Sequence, residues 1–135
     1  MKFYISGPIS SYPEGNKPCF DATAKAVRQL GHVAVNPWDL DLIEPHGDEW
    51  VKNMRRDIRY LVDCDGVVLL PNWEESKGAR LEVLIASRLK MSFFYISGYW
   101  VNRKLSPVPV TVDDAEITAL VDSSAFYDPS AGGII

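Results

Sequence analysis

Glu82 stands in the run RLEVLIA (80–86), an acid among Leu81, Val83, Leu84, Ile85 and Ala86. Helical spacing puts it in line with Ile85, Ala86 and Leu89, on a face that should turn inward. A buried charge there would cost several kcal/mol (order of magnitude) unless compensated. The residue is therefore either a buried acid held by a structural partner or a carboxylate kept poorly solvated for chemistry. A second acid, Asp57, follows Met54 by three residues and precedes Leu61 by four, so it borders the apolar stripe of its own helical segment. Taken alone it reads better as a surface acid beside Asn53, offset by Arg55 or Arg56. Two carboxyl groups brought together would repel, raising the pKa of one, and would thus supply both halves of acid–base or nucleophilic chemistry.

Two further stretches could bind a ligand. In YISGPISS (4–11), Gly7 lies just past a strand, where a bare backbone permits a tight turn or a close approach by a ligand. In NWEESKGARLE (72–82), Ser76 can cap a helix whose first turn holds Lys77 and Gly78, and outward amides plus the helix dipole favour an anion there. Ala79 stands three residues after Ser76, so a reciprocal capping box is absent. Trp38, in NPWDLD (36–41), could stack on a heterocycle or fill the core. Neither a GxGxxG fingerprint nor a GxxxxGK[ST] loop occurs, which argues against a standard dinucleotide or ATP site.

The elements that must position these residues alternate. KFYIS (2–6) predicts a strand, CFDATAKAVRQLG (19–31) a helix, and HVAVNPWDLD (32–41) a short strand ended by Asn36 and Pro37. A helix is predicted over 48–63, with Trp50, Val51, Met54, Ile58, Leu61 and Val62 on one stripe. GVVLLP (66–71) reads as a strand buried on both faces, followed by a helix over 78–90 and the strand SFFYI (92–96). The order predicts a single three-layer α/β domain over 1–135, Rossmann- or flavodoxin-like, with a mainly parallel sheet. Its ligands should gather at the carboxyl ends of the strands, in the loops 7–18, 36–47 and 71–77. After residue 96, VPVTV (108–112) suggests an edge strand and DDAEITALVD (113–122) a short helix, within a C-terminal extension spanning 97–135.

The bulk properties narrow the function. A chain of 135 residues, 47% hydrophobic and 24% charged, suits one globular domain that folds without disulfides or metal. The formal net charge of −4 argues against a nucleic-acid duplex as partner and leaves a small molecule as the better candidate. Cys19 and Cys64 make neither a disulfide framework nor a metal cluster, and no run approaches a membrane span or signal-peptide core. A cytoplasmic protein with no metal or organic cofactor and no membrane partner is expected.

YISGPIS (4–10), DIRYLVDCDGVVLL (57–70) and SKGARLE (76–82), in this order and spacing, resemble the nucleoside 2-deoxyribosyltransferase superfamily. The 2′-deoxynucleoside 5′-monophosphate N-hydrolase branch is the closer match, over roughly residues 2–96. The resemblance implies Glu82 as nucleophile and Asp57 as the second catalytic carboxylate, with Asp65 structural. It implies Tyr4 near the sugar, Gly7 facing the ligand and Ser76 at the phosphate, where the transferases commonly carry an aspartate that would repel one. Lys77, Gly78 and Ser10 complete the implied substrate site. Pro8 and Ser10 stand where the hydrolases carry a serine and an arginine; Lys77, Arg80, Arg55 or Arg56 would then have to supply the cation. The reaction implied is cleavage of the N-glycosidic bond of a (deoxy)nucleoside 5′-monophosphate, with sugar transfer to a second base, or nucleotide sensing without turnover, as alternatives. A homodimer or larger homo-oligomer is implied, with Tyr99, Trp100, Phe126 and Tyr127 as contact material.

Overall fold

The structure, a computed structural model, describes residues 1–98 and 102–110. Its elements run β1 (Lys2–Ser6), α1 (Lys17–Gln29), β2 (Val33–Val35), α2 (Pro37–Ile43), α3 (Trp50–Leu61), β3 (Gly66–Leu69), α4 (Lys77–Arg88), β4 (Ser92–Ser97) and β5 (Lys104–Pro107), with 3-10 turns at Pro13–Asn16 and Trp73–Glu75. The sheet has the strand order β2-β1-β3-β4-β5. The first four strands are parallel, and β5 returns antiparallel to β4. This is a five-stranded, mostly parallel α/β sheet flanked by helices, in the order that puts a topological switch point between β1 and β3.

Side-chain alternation along β1 builds the two halves of the core. Phe3 and Ile5 point to one face, where they meet Phe20, Ala24 and Val27 of α1. Tyr4 points to the other, into a cluster with Leu61 at the end of α3 and Val83 and Ala86 of α4. Central β3 is buried throughout, as its unbroken apolar run requires. Asp65 locks the strand starts together: its carboxylate accepts the Lys2 amide at 2.8 Å, and its own amide donates to the Lys2 carbonyl at 2.8 Å.

The chain departs from its expected elements in three places. Residues 37–43, expected as loop, form α2, because Pro37 suits a first helical turn and the Asn36 side chain accepts the Trp38 amide. Helix α1 begins at Lys17 rather than Cys19, with Pro18 likewise in its first turn. The edge strand runs Lys104–Pro107 and residues 108–110 lie outside it, since the register that sets Lys104 opposite Ser97 reaches Phe94 at Pro107. Residues 111–112, the helix expected over 113–122, and Tyr99, Trp100, Phe126 and Tyr127 lie outside the described residues.

Gly7 sits where β1 leaves the sheet, and a Cβ there would come 2.6 Å from the Leu70 Cβ. Close packing of two strand ends, as much as ligand access, requires glycine. Gly7→Ala should therefore lower stability by about 1–3 kcal/mol through overpacking, read as a lower denaturant midpoint at unchanged slope.

Candidate functional site

Where β1 and β3 end, the loops after them part around a pocket of about 760 Å³. Nine of the residues singled out from the sequence for catalysis or binding line it: Tyr4, Gly7, Ser10, Trp38, Asp57, Ser76, Lys77, Gly78 and Glu82. They come from β1, the loop after it, α2, α3 and α4, so the fold alone makes them neighbours.

Glu82 projects from α4 toward β1 and is 5% exposed. Tyr4 and Ser6 lie two residues apart on one face of β1, and both hydroxyls donate to Glu82: Tyr4 Oη to Oε2, and Ser6 Oγ to Oε1 at 2.9 Å. Its partners are therefore hydroxyls rather than a cation. Ser6, fully buried, was missed from the sequence; the signal was its i, i+2 spacing from Tyr4.

Asp57 is no surface acid, being 6% exposed. Arg56 Nε donates to its Oδ1 at 2.9 Å, while Arg56 Nη1 donates to Asp41 Oδ1 at 2.6 Å and to the Glu44 carbonyl at 2.9 Å. This guanidinium, itself buried, ties α2 to the acid on α3 and was another residue whose role the sequence left open. It does not line the pocket.

Burial, and then the charge of Asp57, push the Glu82 carboxyl up to about 8 against the donors on Tyr4 and Ser6, which favour the ionised form. Burial likewise raises Asp57 to about 6, opposed by Arg56. Burial, and then Glu82, hold the Tyr4 phenol well above its ordinary range, so it stays a donor. The pair thus offers a carboxylate and a carboxylic acid near neutrality.

At the rim, Ser76 Oγ accepts the Ala79 amide at 3.1 Å and caps α4. A Cβ on Gly78 would come 3.2 Å from the Met54 sulfur, so this glycine lets α3 and α4 approach, which brings their acids together. Trp38 is both wall and core: it lines the pocket, packs against the α1-side cluster and leaves its buried Nε1 without a partner. Asn72 Nδ2 donates to Tyr12 Oη at 3.1 Å, joining the loops after β1 and β3. The charged residues among the lining are Asp41, Asp48, Asp57, Glu75 and Glu82 against Lys77. Arg55 and Arg80 are exposed and outside the lining, and Arg56 is engaged elsewhere. Among the described residues no group of three or more His, Cys, Asp or Glu could hold a metal, and no helix is long and apolar enough to cross a membrane.

The strand order, with a pocket opening at the switch point, defines a flavodoxin-like α/β domain. A 2-deoxyribosyltransferase from the psychrotolerant bacterium Bacillus psychrosaccharolyticus, described as a biocatalyst for nucleoside synthesis, shares this fold with a TM-score of 0.57. The likeness covers 76% of this chain and 77% of that one at 18% identity. The chain belongs to the family described as Domain of unknown function (DUF4406), whose model matches residues 1–95. No curated protein is significantly similar to it in sequence.

A carboxyl raised from about 4.5 in the unfolded chain to about 8 when folded keeps its proton longer in the native state. Its contribution to stability is fully present below about 4.5 and is lost as pH rises through about 8. Wild type should therefore lose on the order of a few kcal/mol relative to Glu82→Gln between pH 4.5 and 9, measured by urea unfolding of both proteins. Parallel pH–stability curves would mean that Glu82 ionises freely in the folded state.

Proposed function

We propose that this protein is an N-glycosidase: it breaks the bond between C1′ of a (deoxy)ribosyl group and a nucleobase through a covalent intermediate on Glu82. The observation that carries this reading is the buried Glu82 carboxyl, held by Tyr4 and Ser6 at the wall of the pocket with Asp57 beside it. Ionised Glu82 attacks C1′ as the C1′–N bond lengthens, and the bonding pair leaves with the base. The protonated fraction of Asp57 gives that base its proton. Water then attacks C1′ of the glycosyl ester, giving a proton to Asp57 and releasing the sugar and Glu82. Each carboxyl ends in its starting state. The likeness to a 2-deoxyribosyltransferase supports a second reading, in which another base, rather than water, takes the sugar from the same intermediate.

Glu82→Gln should fold and lose roughly a thousandfold or more in kcat, since the amide keeps the shape but is a poor nucleophile. For wild type, kcat/KM should rise to a plateau between about 6 and 8 and fall above about 8, because the reactive form pairs ionised Glu82 with protonated Asp57. Incubation with a panel of nucleosides and nucleotides, followed by chromatography for free base, tests both. Base release without an acceptor supports hydrolysis; exchange that requires added base supports transfer. Base release by Glu82→Gln at the wild-type rate overturns the nucleophile assignment.

The expectation of a 5′-monophosphate meets an electrostatic obstacle. Ser76 and the start of α4 offer donors, but the lining holds five carboxyl groups and one lysine, and Arg56 behind it offsets only Asp41 and Asp57. The undescribed residues 99–101 and 111–135 contain neither Lys nor Arg, so they hold no cation to redress the balance. A dianionic phosphate would enter beside Glu75, whereas a nucleoside would not meet this repulsion. Nucleosides should therefore exceed their 5′-monophosphates in kcat/KM by on the order of tenfold or more at low salt, with the gap narrowing as salt screens it. A monophosphate preference would give Ser76 and Lys77 the phosphate-binding role, and Ser76→Asp should then penalise the monophosphate far more than the nucleoside.

A further inference from the structure

We propose that Ser6 is a positioning residue for the nucleophile, pinning Oε1 of Glu82 from behind so that Oε2, on the Tyr4 side, is the oxygen that attacks C1′. The inference rests on the glycosidase reading above and adds to it which oxygen reacts and what holds the other. Ser6 Oγ donates to Oε1 at 2.9 Å and is fully buried. Tyr4 lines the pocket and Ser6 does not, so the Oε2 side of the carboxyl is the side the pocket reaches. A carboxylate fixed at one oxygen by a rigid strand keeps its plane and aims the other lone pairs, which a helix side chain with free χ3 would not do.

Two hydroxyls on one strand also have a purpose that one would not serve. Substrate must displace or bend the Tyr4 hydrogen bond before Oε2 can form a bond to carbon. At that moment the Ser6 hydroxyl remains on Oε1, stabilising the carboxylate before attack and after the ester is hydrolysed. Among the described residues, the charged and titratable groups acting on Glu82 are few: Tyr4 on β1, and Asp57 on α3 with Arg56 behind it. None of them donates to Oε1, so removal of the Ser6 hydroxyl leaves that oxygen without its donor.

The test uses the full-length protein and the variants Ser6→Ala and Ser6→Thr. Glu82 titration is followed by carbon NMR of the labelled carboxyl, and kcat/KM is measured against pH on whichever nucleoside wild type cleaves. Ser6→Ala should move the Glu82 titration and the alkaline limb of kcat/KM upward together, by about one to two pH units, while the plateau below that limb falls. Activity at pH 7 should fall roughly tenfold to a hundredfold and recover toward wild type at high pH. Ser6→Thr, which keeps the hydroxyl and suits a strand, should restore both. If Ser6→Ala does not fold, Ser6→Cys, similar in size but a weak donor, carries the same measurement. An unmoved titration and limb, even with a lower melting temperature, would reduce Ser6 to packing and overturn the proposal. Absence of turnover in wild type would instead defeat the glycosidase reading, while the NMR titration still decides whether Ser6 holds Glu82.

Discussion

The carboxyl of Glu82 is removed from water without a cation beside it, and much of the molecule around the pocket can be understood as the means of tolerating that. Full desolvation of an unpaired carboxylate is too expensive for a small domain, so the group is neutralised by proton binding and hydrogen-bonded by neutral donors instead. Hydroxyls are suited to this: they donate to the ionised form and can accept from the protonated one. An arginine in their place would favour the charged form and lower the proton affinity. That is the treatment Asp57 receives from Arg56, and the contrast gives two acids of the same chemical type different proton affinities.

The parallel sheet makes this arrangement inexpensive to build. One strand, β1, sends Phe3 and Ile5 into the core under α1, and Tyr4 and Ser6 toward α4. The same alternation that packs the interior thus delivers two donors to one carboxyl. Glycines then set the approach distances. Gly7 lets the ends of β1 and β3 close on each other at Leu70, and Gly78 lets α4 settle against Met54 of α3. Packing and chemistry share these positions.

The sequence was informative where periodicity or an anomaly of type pointed somewhere. Strands β1 and β3 and helices α1, α3 and α4 follow from apolar spacing, and Glu82 was conspicuous as an acid in an apolar run. Asp57 was not, because adjacent arginines made a surface acid the better reading; only the docking of α3 against α2 buries that pair. Ser6 carried no anomaly, since a serine at a strand end is ordinary until its partner seventy-six positions away is known. Helix α2 hid behind turn-forming Asn36 and Pro37, which also start short helices. The edge strand was misplaced because Val-Pro-Val looks strand-like, whereas the register with β4 pairs residues 104–107, a stretch with no such signature.

Arg56 has a consequence for how such a pocket can diversify. One guanidinium holds the carboxylate of Asp41, the carbonyl of Glu44 and the carboxylate of Asp57. Changes in α2 that would reshape the pocket wall at Asp41 therefore reach the acid pair through a shared partner, and are coupled rather than additive. The loop after β1, by contrast, touches the pocket at Ser10 without joining that network. The pocket's shape can change along this loop and around residue 76 while the acid pair stays constant, whereas α2 is tethered to that pair through Arg56.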